Sequence, residues 1–127
     1  MRPRTGNRIA DLSFDFSIMI LDYCDMLTAQ KRYTVANQLS RCATSIGANI
    51  AEAQSSESLA DFIHKMKIAD KEARETEYWL EICKYAEGYE FDDAFIAVEQ
   101  EIARMLTSII STAKSKLRNY NKEQHNK

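Results

Sequence analysis

The chain has a single proline and three glycines in 127 residues. So few breakers argue against a turn-rich β fold and leave room for long, uninterrupted helices. Histidine is scarce as well, with two in the chain. Only Asp61 and His64 form a carboxylate-x-x-His spacing that falls on a helix, because His125 stands in the terminal segment. A di-metal bundle needs such a motif on two helices, so no metal set is expected. The three cysteines, Cys24, Cys42 and Cys83, form no Cys-x-x-Cys pair. Zinc and thioredoxin-like chemistry are thereby excluded, and each cysteine reads as a free core thiol in a reducing compartment. No Gly-x-Ser-x-Gly elbow and no glycine-rich phosphate loop occur, and Ser45 with Glu52 lacks a histidine partner. The sequence therefore predicts no catalytic residue and no cofactor. Long apolar runs are missing too: the stretch from Phe16 to Leu21 stops at Asp22, whereas roughly 20 apolar residues are needed to cross a bilayer. A soluble, cytoplasmic, non-enzymatic protein without a membrane partner is expected.

What is present points to one globular domain. Hydrophobic residues make up 45% and charged residues 28%, and the formal net charge is −2. That size supports a single core, and that charge gives no global attraction to nucleic acid, so any such binding needs a local cluster. The pattern divides the chain into a flexible basic arm over 1–8, a bundle over 9–117 and a polar tail over 118–127.

Four helical stripes fill the middle. From about Ile9 to Thr28, Leu12, Phe16, Met19, Ile20, Tyr23, Met26 and Leu27 share one face, while Phe14, Ile18 and Leu21 add apolar surface on another side. A helix apolar on more than one side is expected to contact a second copy. Helix 2 spans about Val35 to Gln54 with Thr34 as its expected N-cap. Helix 3 starts at the capping-box-like Ser58 and Asp61 and runs to about Glu87, stopped by Gly88. Helix 4 begins near Asp92 and Asp93 and ends near Leu117, with Phe95, Val98, Ile102, Met105, Ile109 and Ala113 as its stripe. Short polar connections make sequential helices antiparallel neighbours, so the fold class is all-α, an up-down four-helix bundle.

That topology sorts the charges. One end collects Arg2, Arg4, Arg8, Lys65, Lys67, Lys114, Lys116, Arg118 and Lys122, and the other collects Glu77, Glu81, Glu87, Glu90, Asp92, Asp93, Glu99 and Glu101. The bland reading is solvated surface; the sharper one is a phosphate-binding end. Tyr78, Trp79 and Ile82 fall off the main stripe of helix 3 and mark a candidate face for a protein partner.

Helix 2 carries a polar ridge of Gln38, Arg41, Ser45, Asn49 and Glu52 beside its core positions. With catalytic partners absent, Asn49 between Ile46 and Ile50 reads as a residue that sets how helices or subunits meet. Arg41 and Glu52 are candidates for pairing between subunits or for satisfying Asn49 within the chain.

The run Ser45-Ile46-Gly47-Ala48-Asn49-Ile50-Ala51-Glu52 resembles the S-I-[P/G]-x-N-I-A-E signature of bacterial four-helix-bundle proteins encoded in intervening sequences of 23S ribosomal RNA genes. Asp61-Phe62-Ile63-His64-Lys65-Met66 and the segment Lys71 to Leu80 are similar to that family's third helix. Ala53 stands where a glycine commonly follows the motif, and this chain is acidic overall. The resemblance implies a ring-like homopentamer in which Arg41, Ser45, Ile46, Asn49, Ile50 and Glu52 serve assembly. It also implies kinship with the accessory proteins of diversity-generating retroelements, basic pentamers that bind a reverse transcriptase and nucleic acid. The expectation is a homo-oligomeric interaction protein with RNA or an RNA-processing partner; the alternative is a protein-binding adaptor without affinity for nucleic acid.

Overall fold

The computed structural model describes residues 2–126; the first residue of the expected arm and the last of the expected tail lie outside the described residues. Four helices follow one another: α1 (Arg8–Ala29), α2 (Tyr33–Ala53), α3 (Leu59–Tyr85) and α4 (Ala94–His125). Contacts join α1 to α2, α2 to α3, α3 to α4 and, over a thinner seam, α4 back to α1. Cross-helix pairs give the directions. Asn7, at the start of α1, donates to Gln54 just past the end of α2 at 3.0 Å, and Arg8 pairs with Glu101. At the far end Tyr23 donates its hydroxyl to the Glu90 carbonyl at 2.7 Å and packs on Phe91 and Phe95 at the start of α4. Sequential helices are thus antiparallel, as their short connections require.

The caps explain where the helices begin. Asn7 accepts from the Ala10 N–H, and Ser58 accepts from the Asp61 N–H at 3.0 Å, which makes Ser58 the cap the sequence predicts. Replacing Ser58 with alanine is expected to cost about 1 kcal/mol, read as a lower urea midpoint with unchanged helical signal at low urea. Thr34 is not a cap. Helix α2 already starts at Tyr33, because the chain leaves α1 through a tight turn with Lys31 at a φ of 64° and enters α2 from Arg32. Helix α3 ends at Tyr85, before Gly88; Ala86 turns extended, and Gly88 adopts a φ of +82° in the following turn. A side chain at Gly88 would also meet the Arg32 guanidinium, which donates to the Gly88 carbonyl at 3.1 Å and stacks on Tyr89.

Phe16, Ile20 and Leu27 of α1, Leu39, Ile46 and Ile50 of α2, Met66 and Leu80 of α3, and Ile102 and Leu106 of α4 are fully buried and build the core. On α4 the buried line is Glu99, Ile102, Leu106, Ile110 and Ala113, turned toward α3 relative to the stripe expected from the sequence. Val98, Met105 and Ile109 are only partly buried. Beyond Ala113 no residue of α4 is buried, yet the helix continues to His125, so the segment expected as a polar tail is a helical extension. At 32 residues α4 is about 48 Å long, against about 33 Å for the 22 residues of α1.

The arm is folded against α1 rather than free. Arg2 pairs with Asp11 at 3.3 Å, Arg4 with Asp15, and the Thr5 N–H and hydroxyl both donate to Asp11. Burial works against ionisation of Asp11, but the Thr5 and Arg2 donors outweigh it and hold the carboxyl below its ordinary range.

Candidate functional site

The signature segment of α2 divides into three faces. Ile46 and Ile50 are fully buried in the core. Gly47 faces α1, where an added Cβ would stand 3.3 Å from the Ser17 hydroxyl and 3.4 Å from the Ser13 carbonyl oxygen. The motif's glycine is therefore a packing device that lets two helices approach closely. Ser45 and Asn49 are half-buried and Glu52 is exposed. Asn49 donates to the Ser45 carbonyl one turn back at 2.8 Å, a bond within its own helix. Arg41 reaches neither Asn49 nor Glu52; it bridges to Glu72 and Glu75 and so clamps α2 to α3.

The proposed partner face on α3 is partly open. Tyr78 is 57% exposed and Tyr85 is 77% exposed, while Trp79 and Ile82 are half-buried beside them. Tyr78 and Trp79 meet edge to face with centroids 5.4 Å apart. The Trp79 indole N–H is buried with no acceptor among the described residues. Opposite, on α1, Phe14, Ile18 and Leu21 are 37%, 49% and 40% exposed, an outward stripe at i, i+4 and i+7. Arg2 stacks over the Phe14 ring at 3.7 Å and covers one end of it.

The basic end is rearranged relative to its sequence inventory. Arg2, Arg4 and Arg8 are engaged by Asp11, Asp15 and Glu101, which places Glu101 at this end and not at the acidic one. Lys65 lies 4.0 Å from Asp61. By contrast Lys67, Lys114, Lys116, Arg118 and Lys122 are exposed and have no acidic partner among the described residues. Lys114, Arg118 and Lys122 follow one another at i, i+4 and i+8, so the extension of α4 carries a line of cations about 6 Å apart.

Sequence reasoning missed Glu99. Counted with the acidic surface, it is instead fully buried, and neither carboxylate oxygen has a hydrogen-bond partner among the described residues. Burial, followed by the nearby charges of Glu77, Asp70 and Glu81, pushes its carboxyl up to about 8. The only signal available was position: Glu99 lies three residues before Ile102 and seven before Leu106, on their face. The thiols of Cys24, Cys42 and Cys83 are buried and free, and burial raises all three. His64 is exposed, and among the described residues no group of three or more His, Cys, Asp or Glu is placed to hold a metal. No described helix is long and apolar enough to cross a membrane.

These features match known proteins in family and fold. The family model for the 23S rRNA-intervening sequence protein matches residues 6–111, which spans the bundle and includes the signature on α2. The crystal structure of a protein of unknown function from the S23 ribosomal protein family of Bacteroides thetaiotaomicron VPI-5482, at 1.70 Å resolution, superposes with a TM-score of 0.73. It is 42% identical, and the match covers 80% of this chain and 97% of that one. No curated protein shows significant similarity to the chain. With the helix order, the α2 signature and this match in agreement, the chain belongs to the 23S rRNA-intervening sequence protein family.

Proposed function

We propose that this protein is a non-catalytic homo-oligomeric interaction module of the bacterial cytoplasm, whose copies meet through the outer face of α1 and whose basic end takes RNA. The observation that carries the self-association is the stripe of Phe14, Ile18 and Leu21, large apolar side chains aligned on the outside of a bundle whose core is already closed. The family resemblance makes five copies the expected number. A closed ring of five uses two different faces of each subunit. The aromatic side of α3 around Tyr78 and Ile82, on the helix that does not touch α1, is available as the second. Light scattering on a sizing column tests this: a mass near five times 14.6 kDa is expected, and a single-chain mass at tens of micromolar overturns the assembly.

The RNA part rests on the extension of α4. Its unpaired Lys114, Lys116, Arg118 and Lys122 stand clear of the core, and Tyr120 among them is 58% exposed. Cations along a groove or arm with an interleaved aromatic side chain suit a phosphate backbone and a stacked base. Fluorescence anisotropy with a structured RNA is expected to show salt-dependent binding. Reversing Lys114, Arg118 and Lys122 together to glutamate is expected to lower the slope of log K against log salt by about 3, one per lost phosphate contact. Absence of salt-dependent binding at micromolar protein removes the RNA assignment. Capture of a defined protein that survives nuclease treatment and is lost on Tyr78→Asp would replace it with the adaptor reading.

A further inference from the structure

Among the described residues, Glu99 is the one buried carboxyl with no donor. Its neighbours make the isolation sharper. Helix α4 packs on α3 and α1 only. From α3 the charges that bear on Glu99 are Glu77, Asp70 and Glu81, all acidic, and the nearby Arg74 is turned onto Asp70 at 3.4 Å. From α1, Tyr23 packs on Phe95 at the start of α4 with its hydroxyl committed to the Glu90 carbonyl, and no charge of α1 is among those that bear on Glu99. On α4 itself Glu101 is held by Arg8, and Arg104 is exposed one turn further on. None of the charges bearing on Glu99 is positive.

A charge in that position is opposed by desolvation and by repulsion together. A neutral carboxylic acid avoids both and fits a layer that already contains Ile102 and Leu106. We propose that the α3–α4 seam is a proton-operated latch: the first half of α4 seats fully against α3 while Glu99 is protonated, and loosens from it when Glu99 ionises. The site of the loosening follows from the packing. Because α4 meets α1 over a thin seam, α3 is its main anchor, and a repulsion at Glu99 falls on that anchor.

The sign is fixed by the direction of the shift. The folded carboxyl is raised from 4.5 to about 8, so the stabilising effect of the protonated form is complete below about 4.5 and is lost as pH rises toward and through 8. The latch therefore works across the neutral range and opens on the alkaline side.

The test compares wild type with Glu99→Gln, a neutral side chain of the same shape, by urea titration and by hydrogen exchange at pH 6, 7, 8 and 9, corrected for intrinsic exchange rates. For wild type the unfolding equilibrium is expected to rise about a hundredfold between pH 6 and pH 9, with exchange of residues 94–110 accelerating more than that of α2. Glu99→Gln is expected to flatten the profile. An identical slope in both proteins overturns the latch, as does an alkaline opening spread evenly over all four helices. If the variant fails to fold, infrared spectroscopy of wild type reads the same group: a protonated carboxyl band at pH 7 that vanishes by pH 9 supports the proposal, and its absence at pH 7 refutes it.

Discussion

Phe16→Ala is expected to destabilise the bundle by about 3–5 kcal/mol, the range for truncating a fully buried aromatic side chain whose surroundings cannot collapse into the gap. Phe16 lies on the inner face of α1 with no exposed surface, and the core cluster includes partners from all four helices. The gap cannot be filled by shifting α1 alone, because Gly47 already brings that helix into near contact with α2 at Ser13 and Ser17. With a urea m-value near about 1.5 kcal/mol per molar for a domain of this size, the midpoint should fall by about 2–3 M. A drop under about 0.5 M would mean that the core repacks freely around α1. Since the whole stability of such a domain is about 5–15 kcal/mol, the variant should stand near the edge of unfolding at 37 °C.

Ile18→Asp, two residues away, is expected to do nearly the opposite. Ile18 is 49% exposed, so the change should alter the stability of the isolated chain by no more than about 0.5 kcal/mol. In an assembly that buries this stripe, the same carboxylate is carried into an apolar contact without a partner at every interface. That costs several kcal/mol each time, enough to shift association by about a hundredfold or more. Light scattering should show the mass falling to that of one chain, 14.6 kDa, with helical circular dichroism retained. An unchanged mass would place the interface elsewhere, and loss of helix together with mass would mean that the chain folds only when assembled.

The contrast between Phe16 and Ile18 shows what could be read in advance. Helical periodicity separated the inner and outer faces of α1 because its apolar residues occupy two clear lines with acids between them. The same logic worked for Leu39, Ile46 and Ile50. It failed for α4, where Phe95, Val98, Ile102, Met105, Leu106, Ile109 and Ile110 form a band too wide for one stripe. Two neighbours share that band, and only the packing decides that Leu106 and Ile110 go inward while Met105 stays at the edge. Glu99 was lost to the same ambiguity, compounded by the habit of counting every carboxylate as surface. Thr34 failed as a cap for a local reason, since a turn through Lys31 at positive φ delivers the chain into the helix two residues earlier. Charge inventories by helix end treat every cation alike. They could not foresee that Arg2, Arg4 and Arg8 would be engaged by Asp11, Asp15 and Glu101.

The thin α1–α4 seam also bears on the order of events during folding. Contacts between consecutive helices close short loops and form early, whereas joining α1 to α4 brings together segments such as Arg8 and Glu101 that lie far apart in the chain. On the ribosome α1, α2 and α3 can therefore pair before α4 is complete. During that interval the side of α1 that α4 will later cover, including Leu12, Tyr23 and Met26, is open beside the outward stripe of Phe14, Ile18 and Leu21. For the self-assembly proposed above, association is then expected to begin between siblings in synthesis on the same messenger rather than between finished subunits.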